Sequence, residues 1–123
     1  MSQQLCMYFG QFTISWASHS KQAIDRLKEL FAGYESTRAP DIALQIDISP
    51  DLPHPCDVTQ TQWNAFAVHG NSFDMGPQVL QGTFSHDYNQ MVVTAHEDVF
   101  KPQFLRVLNE FLYGLYYTLC SIY

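Results

Sequence analysis

Residues 12–48, FTISWASHSKQAIDRLKELFAGYESTRAPDIALQIDI, carry three hydrophobic periods in succession. Phe12, Ile14 and Trp16 alternate with Thr13 and Ser15, which is the period of a half-buried strand. Ser18 or Ser20 then stands where a helix cap is wanted. Ala23, Ile24, Leu27, Leu30, Phe31 and Tyr34 recur every three or four residues, with Lys21, Asp25, Arg26, Lys28 and Glu29 on the other side. Gly33 falls where a left-handed C-terminal cap would sit. After a connector at Ser36–Pro40, Ile42, Leu44, Ile46 and Ile48 alternate with Ala43, Gln45 and Asp47, giving a second strand with one apolar face.

Beyond this strand–helix–strand unit, Pro50, Pro53 and Pro55 remove backbone donors and predict a surface loop. Trp63–Val68 reads as a third strand and Phe73–Met75 as a shorter piece. Val79–Ser85 and Gln90–His96 read as a hairpin turning at His86-Asp87-Tyr88-Asn89. A final helix is expected to start between Glu97 and Lys101, with Asp98 as its cap and Pro102 in its first turn. Its apolar stripe is Phe104, Leu105, Leu108, Phe111, Leu112, Leu115, Tyr116 and Leu119. The expected fold is α+β: a mostly antiparallel sheet of four or five strands with two helices packed on one face, in the order β-α-β-β-β-β-α.

From Phe111 onward that helix is apolar nearly all round, and such a helix is normally buried all round. Residues 1–123 are therefore expected to form a single domain at the N-terminal end of a longer chain. Phe111, Leu115, Tyr116, Leu119 and Tyr123 are its expected interface, toward a downstream domain, a protein partner or a second copy. The uncharged run Phe111–Tyr123 has 13 residues. A membrane-spanning helix needs roughly 20, so no span is expected.

Composition narrows the classes. Twelve acidic against six basic residues leave a net charge of -6, and charged residues make up 15% of the chain. With 46% hydrophobic residues the chain has the material for a core, which argues against disorder. Six scattered cations form no basic stripe, which argues against a nucleic-acid partner. Cys6, Cys56 and Cys120 are an odd and widely spaced set, neither a disulfide framework nor a zinc pattern. The N-terminus lacks the cationic start and apolar run of a secretory signal, so a cytoplasmic protein is expected.

No catalytic motif assembles from spacing alone. His96-Glu97 begins like the helical zinc-protease motif, but position 100 is Phe100 where the second histidine belongs. His54-Pro55-Cys56-Asp57 would need further ligands from elsewhere. His69-Gly70-Asn71-Ser72-Phe73-Asp74 has no nucleophile elbow, and Gly70-Asn71 suits a turn between strands. Cys120 falls in an apolar helix, where a buried thiol is inert. There is no phosphate-binding glycine loop, and no metal or other cofactor is expected.

The layout of the chain resembles the region preceding the P-loop domain in proteins related to the HPr (histidine-containing carrier) kinases. The likeness lies in the strand Phe12-Thr13-Ile14-Ser15, the amphipathic helix, the isoleucine-rich strand, the hairpins, and the helix Phe104–Leu115. In that family a sensor-like α+β segment leads through such a helix into a strand and a phosphate-binding loop. The resemblance implies a downstream domain for the terminal helix and carries over no catalytic residue, because the family's catalytic residues lie in the P-loop part. The function expected first is a non-catalytic accessory, regulatory or partner-recognition domain. The alternative is a small-molecule or peptide-binding module using a sheet–helix pocket or an exposed strand edge. A third reading, an enzyme, needs two of His54, His69, His86 and His96 to converge in one cleft.

Overall fold

In a computed structural model of the chain, residues 3–52, 67–75 and 80–122 are described. The strand begun at Phe12 runs to Ser18 (β2, Phe12–Ser18) and pairs antiparallel with β1 (Gln3–Phe9). The two join through Gly10 and Gln11 alone, a two-residue hairpin loop. Gly10 has φ +62°, the positive value such a loop requires at its first position. A β-carbon at Gly10 would also lie 2.5 Å from the Tyr116 ring, so the same glycine permits close approach of the last helix.

The first helix, α1 (Lys21–Leu30), starts where expected: Ser20 is the cap, its Oγ accepting from the Ala23 N–H at 3.2 Å. It buries Ala23, Ile24 and Leu27. It ends at Leu30, with Phe31 as its C-cap and Gly33 at φ +92° beyond it, so Tyr34 lies outside the helix. Ser20→Ala is expected to lower stability by about 1 kcal/mol, measured by urea denaturation, because it leaves a first-turn donor without its acceptor.

The helix returns the chain to β3 (Ile42–Ile48), which lies parallel to β2, with Trp16 opposite Leu44. The chain next re-enters at the far edge of the sheet. There β4 (Ala67–His69), β5 (Ser72–Met75), β6 (Leu80–Phe84) and β7 (Gln90–Ala95) form an antiparallel meander. It works back until β7 lies parallel to β3. Among the described residues the sheet therefore has seven strands in the order β1-β2-β3-β7-β6-β5-β4. This corrects the expectation of four or five strands and of the order β-α-β-β-β-β-α. The added element ahead of β2 is β1, and the centre of the sheet is a parallel trio.

After β7 comes a second correction. Glu97–Phe100 and Pro102–Phe104 are two short 3₁₀ turns, and only then does α2 (Leu105–Ile122) begin. The cap of the first turn is His96, whose Nδ1 accepts from the Asp98 N–H at 3.1 Å; Asp98 is not the cap. Lys101 precedes a proline and is held extended (φ -71°, ψ 146°), which prevents one continuous helix from Glu97.

Period-two alternation places Leu5, Met7, Phe12, Ile14, Trp16, Ile42, Leu44, Ile46, Met91, Val93 and Phe84 on one face of the sheet. All are buried in one core with the inner residues of α1 and α2. Phe111 of α2 sits between Trp16 and Phe73, with ring centroids 6.1 and 5.9 Å away. The Trp16 Nε1 finds no hydrogen-bond partner among the described residues.

The β1 edge of the sheet is blunted against pairing with other chains. Along β1, the Tyr8 N–H donates to the Tyr34 carbonyl at 2.9 Å and the Ser36 N–H to the Cys6 carbonyl at 3.0 Å, so Tyr34–Ser36 screens that edge. At the end of β6 and β7, Tyr88 adopts φ 59° and donates its hydroxyl to the Gly70 carbonyl at 3.0 Å. That bond ties the β6–β7 turn to the β4–β5 turn.

Candidate functional surface

Among the described residues the helices leave one face of the sheet open, and the strand registers assign its residues row by row. The middle row runs Gln4, Ala17, Gln45, Val92, Thr83, Ser72, His69. Beside it lies the row Cys6, Ser15, Ala43, Gln90. On the other side, toward the ends of β3 and β7, the row is Asp47, Thr94, Gln81, Asp74, Ala67. No lysine or arginine stands in these rows, and both of their carboxylates belong to the last of them.

The relief of this face follows from its side chains. Ser15, Ala17 and Ala43 are small and sit over the parallel strands, so the surface dips there. The depression is about 210 Å³, rimmed by Gln4, Gln45, Gln90 and Val92. Val92 is 40% exposed in the isolated chain. Parallel strands are almost always covered on both faces, because crossover helices fall on either side of them. Here α1 and α2 both contribute to the core on the same face, and no described helix covers the parallel trio on the other, where the connector after α1 reaches Cys6, whose Sγ lies 4.0 Å from the Arg38 carbonyl.

A second concavity, of about 520 Å³, opens where β2 and β3 end, and Ser18, His19, Ser20, Asp47 and Glu97 line it. Its polar groups are largely engaged in holding the fold. Buried Ser18 donates its Oγ to the Ile46 carbonyl at 2.9 Å and accepts from the Ser20 N–H at 3.0 Å. Ser20 caps α1. The Gln22 amide, assigned with its nitrogen toward Glu97, donates to Glu97 Oε1 at 2.6 Å and accepts from Arg26 at 3.1 Å, an assignment made because it satisfies both groups. What the cleft has to offer a ligand is the exposed pair His19 and Asp47.

The histidines singled out in the sequence separate. His69 ends β4 and His86 lies in the β6–β7 turn, at one end of the sheet. His96 follows β7 at the opposite end and serves as a cap. His54 lies outside the described residues, as do Pro53, Pro55, Cys56 and all of the expected Trp63–Val68 strand except Ala67 and Val68, which open β4. Ser72 donates its Oγ to the carbonyl of His69 at 2.9 Å, so the His69–Asp74 segment is spent on a hairpin turn with Gly70 at φ +63°. Among the described residues no three His, Cys, Asp or Glu side chains group as metal ligands.

The expected interface on the last helix divides. Phe111, Leu115 and Leu119 are 1% exposed or less, packed under the helix against the sheet. Tyr116 is half-buried, edge-on to Phe12 and Phe9, and Tyr123 lies outside the described residues. The outward side carries Tyr113 and Tyr117, 58% and 68% exposed, with Ile122 beyond them. Cys120 is on that side as well and is exposed, which corrects the expectation of a buried thiol. A hydrogen bond with the Cys120 side chain raises the Tyr116 phenol above its ordinary pKa. Hydropathy alone could not separate the two sides, because tyrosine and cysteine read as apolar in the pattern and yet tolerate water at one end.

No family model, curated protein or solved structure matches the chain. Among the described residues no helix is long and apolar enough to cross a membrane, a statement that does not bear on β-barrels.

Proposed function

We propose that the chain is a non-catalytic accessory domain that acts by docking protein against its open sheet face. One observation carries the reading: among the described residues a parallel trio at the centre of a seven-stranded sheet has its helices on one side, and the rows on its other side hold two carboxylates, Asp47 and Asp74, and no lysine or arginine. A face meant for water would use lysine, glutamate and arginine, as the outer side of α1 does with Lys21, Arg26, Lys28 and Glu29. The reading agrees with the resemblance to the segment that precedes the P-loop domain in HPr-kinase-related proteins, where such a segment stands beside a catalytic domain.

A photo-crosslinking residue placed at Val92 tests this in the cells that make the protein. The expected result is a covalent adduct with protein from Val92 and none from Lys28, on the outer side of α1. No adduct from Val92, or equal labelling from both positions, overturns the reading.

The cleft beside His19 and Asp47 favours the second reading, a small-molecule binder. It predicts a ligand-dependent rise in unfolding temperature across a metabolite panel that His19→Ala with Asp47→Asn removes. A flat panel ends it.

A further inference from the structure

The open face is built from groups that pair with their own kind, and we infer that its partner is a second copy of this chain, packed sheet to sheet. The inference rests on the docking reading above and names the partner. An interface about a two-fold axis sets each patch against itself, so its chemistry must be self-complementary. Amides and hydroxyls satisfy that condition, since each carries a donor and an acceptor; ammonium and carboxylate groups do not. From Gln4 to Ser72 the middle row obeys it: Gln4, Ala17, Gln45, Val92, Thr83 and Ser72 are uncharged and either apolar or able to pair with themselves, and His69 stands at the outer end of the row.

The charges also choose the axis. An axis running along the strands would set the row of Asp47 and Asp74 against its own copy, carboxylate over carboxylate, and like charges facing each other are repulsive. An axis across the strands, along the middle row, reverses the strand direction from one sheet to the other. Val92 then faces Val92, Gln45 faces Gln45 amide to amide, and Asp47 comes over the row of Ala43 and Gln90. Two twisted sheets pack within about 30° of aligned, so the match is tightest at the centre, over β3 and β7.

The area suffices. Seven strands spaced by about 4.8 Å and about 20 Å long present a plane of roughly 600 Å². Two such planes bury roughly 1,200 Å² together, the lower end of the range for specific interfaces. The small residues Ser15, Ala17 and Ala43 let the two sheets approach to the ~10 Å at which stacked sheets pack. The result is a four-layer assembly, helices outside and two sheets within.

Sedimentation equilibrium of the purified chain across about 1–200 µM tests the inference. Twice the chain mass is expected at the upper end. Val92→Lys, which sets two ammonium groups face to face, should weaken association at least about tenfold. Thr83→Lys, one strand away on the same row, should do the same and serves as the second variant should either fold poorly; circular dichroism establishes that both are folded. Tyr117→Lys, on the outward side of α2, should leave association unchanged. A chain that stays monomeric throughout, a dimer indifferent to both sheet-face variants, or a dimer broken by Tyr117→Lys overturns the inference. A monomer that still yields an adduct with a different protein from Val92 in cells overturns the self-association alone and leaves the docking reading standing. A monomer that yields no adduct ends both.

Discussion

Gly82→Ala is expected to lower stability by about 3–5 kcal/mol, above the ~1–3 kcal/mol usual for overpacking, because the clash is with backbone and not with a side chain that can move. For a domain of this size that is a fall of about 10–20 °C in unfolding temperature. Gly82 lies between Leu80 and Phe84 on the inner side of β6, opposite Val93. A β-carbon there would sit 1.8 Å from the Val92 carbonyl oxygen and 2.9 Å from the edge of the Phe73 ring. A ring can turn aside, but a carbonyl inside a strand pair cannot move without breaking the pair. The β6–β7 pairing is also what carries Val92 into the middle of the open face, so this variant should lose any association along with its fold. Thr83→Ala, one residue on and facing outward, should change stability by no more than about 0.5 kcal/mol. Thermal unfolding followed by circular dichroism measures both. A Gly82→Ala protein that unfolds at the wild-type temperature would show that β6 does not pass as close to β7 as the structure has it.

The elements that alternate cleanly were legible in the sequence. Ile42–Ile48 is a strand over the residues expected, Ser20 caps the helix that follows β2, and the hairpin of β6 and β7 turns at His86–Asn89. β1 escaped because its outward residues Cys6 and Tyr8 are themselves apolar, so Leu5–Phe9 shows no alternation against its inward Leu5 and Met7. The punctuation was present in Gly10-Gln11, a loop too short for anything but a hairpin. The parallel β2–β3 pair was also within reach. A strand, a ten-residue helix and a strand is a crossover unit, and a crossover returns the chain parallel to where it left. The meander at the far edge is what no local pattern reveals, since β4 to β7 would alternate in the same way wherever they were inserted in the sheet.

The open face was invisible for a related reason. In the sequence its residues are no more than the outward half of each half-buried strand. Only the registers show that Ala17, Gln45, Val92 and Thr83 stand in one row, and only the row shows that lysine and arginine are missing from it. The histidines misled in the opposite direction. Residue type made them conspicuous, whereas His96 is occupied as a cap and the His69 carbonyl as an acceptor in a turn.

The second large effect decides to whom the last helix belongs. Phe111 is 1% exposed, wedged between Trp16 of β2 and Phe73 of β5, and Phe111→Ala should cost about 3–5 kcal/mol in the isolated chain. The loss has two parts: the transfer energy of the ring, and the void left where Trp16 and Phe73 lose a packing partner and cannot close the gap. Tyr117→Ala, six residues further along α2 and 68% exposed, should stay within about 0.5 kcal/mol. Urea denaturation of the purified chain separates the alternatives, provided its slope is unchanged, so that both variants unfold from the same native surface. A helix whose apolar stripe waits for another protein would behave in the reverse way: Phe111→Ala would leave the stability of the isolated chain nearly untouched and weaken only the complex. A cost below about 1 kcal/mol for Phe111→Ala would therefore detach α2 from this core. It would return the helix to the role its hydropathy first suggested, and leave the inner face of β2 and β5 as the surface in want of a partner.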